Sequence, residues 1–112
     1  MTIGEIHWVD LPDTSGREQA GRRPAIIIQN DGYAGSLPTV LVIPLSSAIA
    51  ALRFPGTAPV KADKTSGLRT DSVALVFQLR AIDRGRIKEK IGVVSESDVL
   101  EIRSELAKLL GS

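Results

Sequence analysis

The sequence predicts a β-dominated fold with a small α component: a small barrel of five to seven short strands with one C-terminal helix. Three observations carry this. Short apolar runs rich in β-branched residues recur along the chain, each bounded by Gly, Pro, Asn, Asp or Ser. Helical spacing of apolar residues is clearest at the end, at Val99, Ile102, Leu106 and Leu109. A length of 112 residues suits a single domain, 1–112, with a moderate core.

The elements follow in order. Ile6 to Val9 reads as a short strand, with Trp8 placed in the core. Residues 10–23 form a polar loop longer than most connections, a sign of function. Ala25 to Gln29 is a strand apolar on both faces, hence central, and Pro24 suits its start. Residues 30–38, with Asp31-Gly32 and Gly35, form a turn. Thr39 to Ile43 is a second buried strand, which Pro44 ends, leaving Ser46 and Ser47 at its C-terminal edge. Residues 48–52 suit one helical turn, and residues 53–60, with Pro55, Gly56 and Pro59, suit an irregular or edge strand.

After a polar connection over 61–68, Ser72 to Phe77 reads as a strand, with Phe77 in the core. Residues 78–83 continue it or turn away, and Ile87 to Val94 form the final strand. Ser95 is the N-cap of the terminal helix, with Asp98 three residues on, close to a capping box. Gly111 is its stop.

Bulk properties narrow the function classes. The chain has no Cys, which removes disulfides and thiolate metal sites. No apolar run is long enough to span a membrane, and the N-terminus lacks the pattern of a signal peptide, so the cytoplasm is the expected compartment. Net charge is +1; residues 95–112 carry four carboxylates against two cations, leaving +3 elsewhere. That asymmetry is too small for a broad nucleic-acid-binding face, so any such contact is local.

The densest chemistry lies in Gly16-Arg17-Glu18-Gln19-Ala20-Gly21-Arg22-Arg23-Pro24. Three arginines, a carboxylate and a carboxamide fall within seven residues, and Gly16 and Gly21 let the backbone bend there. Arg17, Arg22 and Arg23 offer planar forks that match phosphate oxygens two at a time. A loop of this kind at the edge of a rigid sheet can grip an anion. His7 is the only histidine and lies in a strand away from any acid or ligand partner, so it reads as structural. Two-histidine nuclease chemistry and His/Cys metal clusters are therefore absent, and no Walker loop or nucleophile elbow is present. Arginine, hydroxyl and carboxylate remain.

Five blocks in this order resemble the MazF/PemK toxin family: Gly4-Glu5-Ile6-His7-Trp8-Val9-Asp10-Leu11, the arginine loop, Pro44-Leu45-Ser46-Ser47, Asp71-Ser72-Val73, and Gln78-Leu79-Arg80-Ala81-Ile82-Asp83. The resemblance covers nearly the whole chain, and its most specific part is Glu18-Gln19-Ala20-Gly21 followed by Arg23-Pro24. It implies an SH3-like barrel closed by the C-terminal helix. It also implies a metal-independent, cofactor-free endoribonuclease that cuts single-stranded RNA, a homodimer, and an acidic antitoxin partner whose tail blocks the RNA groove.

Carried over residue by residue, the family's catalytic arginine falls on Arg23, and its catalytic hydroxyl residue, usually threonine, falls on Ser46. RNA brings its own nucleophile, the 2′-hydroxyl, so such an enzyme needs alignment, charge stabilisation and two proton movements. A guanidinium stays protonated, which makes Arg23 a charge stabiliser rather than a base. Glu18 either accepts the 2′-hydroxyl proton or holds Arg23 in place. Arg17, Gln19, Arg22, Ser47, Arg69, Gln78 and Arg80 are the expected RNA-binding residues, and Tyr33, in a turn, the expected stacking ring. Two rival readings stand beside this one. Similar barrels occur in non-catalytic toxins that bind DNA gyrase through a terminal helix, and the serine at position 46 allows a member that binds RNA without cutting it.

Overall fold

In a computed structural model, the structure describes residues 1–12, 16, 19–33 and 35–112. Seven strands and one α-helix make up the described fold: β1 (Glu5–Leu11), β2 (Gly21–Ile27), β3 (Thr39–Ser46), β4 (Thr57–Val60), β5 (Ser72–Leu75), β6 (Arg80–Asp83), β7 (Ile87–Val93) and α1 (Glu96–Leu109). All pairings are antiparallel, in the order β4-β5-β3-β2-β1-β7, with β6 also on β3. The expected β-dominated class with a terminal helix is the observed one. Among the described residues, however, no strand-to-strand pairing closes the sheet into a barrel.

The open seam between β4 and β7 is filled by loop backbone. Val93 donates its N–H to Thr65 O at 2.8 Å. A Cβ on Gly92 would sit 2.2 Å from Ser66 O, and one on Gly67 2.3 Å from Ile91 O, so both positions need glycine. Gly67 also adopts a φ of +69°, which disfavours any L side chain.

Both faces of the central strands are buried, as their unbroken apolar runs require. Ile26 of β2 with Ile43 and Leu45 of β3 face one cluster, which Ile6, Val60, Val76 and Ile102 of α1 complete. Ala25 and Ile27, with Val40 and Val42, face a second cluster with Val9, Leu11 and Ile82. The period of two along each strand distributes the residues between the two clusters.

Strand limits depart from expectation where polar residues pair. β1 runs on to Leu11 and β2 begins at Gly21, since Asp10 pairs with Arg22 and Leu11 with Gly21. Arg22 and Arg23 therefore lie on a strand, not in a loop. β3 continues through Pro44 to Ser46. Pro44 falls between Val42, paired with β6, and Leu45, paired with β5, where β3 changes partner and a missing N–H breaks no ladder on that edge. Pro59 sits in β4, the outer strand of the path, where proline is tolerated. The expected strand over 72–77 ends at Leu75, and a 3₁₀ turn over Val76–Gln78 sends the chain into β6.

Trp8 and Phe77 are not core residues. They are 37% and 45% exposed. Trp8 belongs to the face that β1 turns outward with Asp10, and Phe77 sits on the turn outside the sheet, its ring 6.3 Å from that of Phe54.

Ser95 caps α1, its Oγ accepting from Asp98 N at 3.2 Å. The Asp98 carboxylate does not close a capping box; it accepts from Lys61 N at 3.3 Å and ties the helix start to the end of β4. Gly111 (φ +86°) ends the helix, with Ser112 N donating to Ala107 O at 2.9 Å. No described helix is long and apolar enough to cross a membrane.

Candidate functional site

A cleft of about 540 Å³ opens where the end of β3 and the start of β2 meet the 67–72 segment. Arg23, Ser46, Ser47 and Arg69 line it together, with Trp8, Thr70 and Ser72. The β2–β3 register explains the first pair. Ala25 lies opposite Pro44 and Ile27 opposite Val42, so Arg23 and Ser46 each lie two residues beyond the last pair, at the same end of the ladder.

Arg23 and Ser46 keep donor capacity among the described residues, whereas the Ser72 hydroxyl is committed to Thr70 O at 3.2 Å. Arg23 is exposed, and its Nε donates to Ala20 O at 3.1 Å, which fixes the plane of the guanidinium and leaves both Nη groups without a partner among the described residues. Ser46 Oγ accepts from Ala48 N at 3.1 Å, so its own proton is free to be donated. Arg69 and Ser47 are exposed. No carboxylate lines the cleft among the described residues. The site is thus rich in donors and positive in charge, suited to an anion carrying several oxygens.

Gln19, Arg22, Gln78 and Arg80 do not line the cleft. Arg80 donates from Nη1 to Gln19 O (2.9 Å) and from Nη2 to Gln78 Oε1 (2.9 Å), while Gln19 N donates to Gln78 Oε1 (2.7 Å). Gln19, Gln78 and Arg80 therefore form a half-buried lock that pins the end of the 12–20 connection against the Val76–Gln78 turn. Gln19 Oε1 is buried with no hydrogen-bond partner among the described residues. Arg22 is ion-paired with Glu89, has Asp10 at 3.9 Å, and lies 5.5 Å from the Trp8 ring centroid. Arg17 and Glu18 fall outside the described residues. Tyr33 is 57% exposed in its turn but does not line the cleft.

Sequence reasoning missed Trp8, Thr70 and Ser72 as cleft residues. For Trp8 the signal was present: Val9 and Leu11 alternate inward, which turns Trp8 and Asp10 outward.

His7 is buried away from the cleft, between Glu5 Oε1 (2.8 Å from Nε2) and Lys88 O (2.9 Å from Nδ1). Burial pushes the Glu5 carboxyl up, but hydrogen bonds from His7 and from Thr2 N and Oγ1, with Lys90 nearby, outweigh it and hold Glu5 down at about 2. This network braces β1 against the bulged edge of β7. Among the described residues, no three His, Cys, Asp or Glu side chains are arranged to hold a metal ion.

Fold and cleft together define a small helix-capped antiparallel β protein with an open cleft lined by arginine and hydroxyl donors. The chain belongs to the family of PemK-like, MazF-like toxins of type II toxin–antitoxin systems, whose model matches residues 2–110. It is 37% identical over 108 residues to the endoribonuclease MazF of Staphylococcus epidermidis, covering 96% of this chain and 89% of that one. Its fold is similar to the crystal structure of MazF from Deinococcus radiodurans, with a TM-score of 0.84 at 27% identity, covering 100% and 97% of the two chains. A MazE–MazF structure from the same organism gives a TM-score of 0.75 at 27% identity, covering 99% and 96%.

Proposed function

We propose that this toxin is an endoribonuclease that cuts single-stranded RNA, mRNA included, by attack of the substrate's 2′-hydroxyl, and so inhibits translation and growth. The observation that carries the reading is the meeting of Arg23 and Ser46 in one cleft, which also holds Arg69 and is lined by no described carboxylate. In the reaction the 2′-oxygen bonds to phosphorus and the P–O5′ bond breaks. The products are a 2′,3′-cyclic phosphate and a 5′-hydroxyl. Charge builds on the non-bridging oxygens at the transition state. The Nη groups of Arg23 and the Ser46 hydroxyl are the donors assigned to that charge.

Arg69 and Ser47 hold neighbouring phosphates. The 2′-hydroxyl proton leaves to a base, and the 5′-oxygen takes up a proton on departure. Glu18 serves either as that base or as the brace of Arg23. No metal is assigned a step. The toxin works in the cytoplasm as a homodimer, and its partner is an acidic antitoxin whose tail competes with RNA for the arginine-lined cleft. A MazE–MazF assembly among the similar structures supports such a partner.

Incubating the pure protein with a long RNA in EDTA and mapping the ends tests the reading. Fragments with 5′-hydroxyl ends support it. Intact RNA from a folded protein favours the gyrase-binding or RNA-binding alternatives.

A further inference from the structure

We infer that Trp8 is a base-stacking platform of the cleft, held in position by Arg22, and that it selects which base lies beside the cut. The inference rests on the RNA-cutting reading and adds a residue that the sequence places in the core.

Three features support it. A large aromatic side chain on a strand, 37% exposed, borders the same cleft as Arg23 and Ser46. Burial is the usual fate of such a ring, so its exposure beside a phosphate-sized donor cluster calls for an occupant. A flat apolar surface next to anion donors matches a nucleotide, whose base stacks while its phosphate is gripped.

The ring is also held in place. Arg22 lies over it at 5.5 Å from the centroid, and Pro24 opposes it across the β1–β2 ladder. Arg22 in turn is anchored by Glu89 and has Asp10 at 3.9 Å. Two carboxylates around one guanidinium compensate its charge locally, so Arg22 acts as a cap on the indole rather than as a phosphate ligand. A ring whose motion is already restricted loses less entropy when a base settles on it.

Trp8 is the only tryptophan in the chain, so its emission reports on this position alone. The test uses a 5′-labelled RNA oligonucleotide spanning a mapped cut, made uncleavable by one 2′-deoxy nucleotide immediately 5′ to it. Anisotropy of the label follows binding while tryptophan emission follows stacking. Emission should be quenched in step with binding. Removing the base at one position beside the cut should abolish the quench, and removal at other positions should not. Trp8→Leu should weaken binding of the intact oligonucleotide by roughly ten- to one-hundred-fold, and that of the matching abasic one hardly at all. Trp8→Phe should recover part of the loss.

Unchanged emission at saturating binding overturns the inference, as does an equal loss by Trp8→Leu on intact and abasic oligonucleotides. Either result leaves RNA cutting by the native protein intact as a reading. If the native protein cuts no RNA at all, both fall.

Discussion

Arg23 on β2 and Ser46 on β3 line one cleft, each two residues beyond the last pair of the β2–β3 ladder, Ala25 opposite Pro44. The pair depends on β3 not stopping at Pro44 and on β2 starting before Pro24. Two donors distant in sequence are thereby brought together by strands whose inner residues fill two buried clusters.

Arg23→Ala should lower cleavage by on the order of 10²–10³-fold without unfolding the protein, since the side chain is exposed and its loss removes one transition-state donor. Arg23→Lys should recover little, because lysine lacks the bidentate fork. Single-turnover cleavage rates beside circular dichroism check this. Native-like rates in a folded Arg23→Ala protein contradict it.

Ser46→Ala should reduce kcat more than it raises KM, as expected of an interaction strongest in the transition state. Ser46→Thr should be tolerated, its methyl restricting χ1 and steadying the hydroxyl. Steady-state kinetics on one defined RNA separate the two. An inactive Ser46→Thr beside a fully active Ser46→Ala would remove Ser46 from the mechanism.

Salt dependence should distinguish Arg69 from Arg22. Arg69 is exposed, lines the cleft and meets no carboxylate among the described residues, so Arg69→Ala should flatten the slope of log K against log salt by about 0.7. Arg22→Ala should leave that slope close to native, because Glu89 and Asp10 already balance its charge. Anisotropy titrations across a salt series measure both slopes.

Glu5 links stability to acid. Its carboxyl sits at about 2 in the folded chain, below its ordinary value of 4.5, so the unfolded chain binds the proton more readily. The stabilisation it provides is complete above about 4.5 and is lost as pH falls towards 2. Urea unfolding of the native protein and Glu5→Gln should therefore show a gap in stability at pH 6 that narrows steadily at pH 4 and 3. A gap that widens on acidification contradicts the assignment.

The loop seam offers a test of structure. Gly92→Ala places a Cβ against Ser66 O and should destabilise the fold by about 1–3 kcal/mol or more. Because the displaced 65–67 backbone leads directly to Arg69, RNA affinity should fall as well, even where the variant remains folded. Thermal unfolding and binding measured on the same preparation check both parts.

The parts of the fold legible in the sequence are those where burial imposes a pattern. The unbroken apolar runs of β2 and β3 report two buried faces, and Ser95 with the spacing of Val99, Ile102 and Leu106 marks α1. What was hidden depends on pairing rather than on side-chain character. Arg22 and Arg23 look like loop residues until Asp10 and Val9 are seen opposite them. Gly67 and Gly92 reveal nothing until the loop and β7 meet. In the site, the family resemblance singled out Arg23 and Ser46, and residue chemistry added Ser47 and Arg69, all of which share the cleft. The same chemistry could not tell them from Gln19, Gln78 and Arg80, which bond to one another. Trp8 was misplaced because its size outweighed the alternation of its strand.

The most direct test of the account is cleavage of a matched set of RNA oligonucleotides in EDTA. One is all-ribose, and one carries a single 2′-deoxy nucleotide immediately 5′ to the mapped cut. The account predicts a 2′,3′-cyclic phosphate and a 5′-hydroxyl from the first, and no cut at the modified position in the second. Cleavage at the 2′-deoxy position, or cleavage that requires added Mg²⁺, would mean that water rather than the substrate's own hydroxyl is the nucleophile, and would contradict the roles given to Arg23 and Ser46.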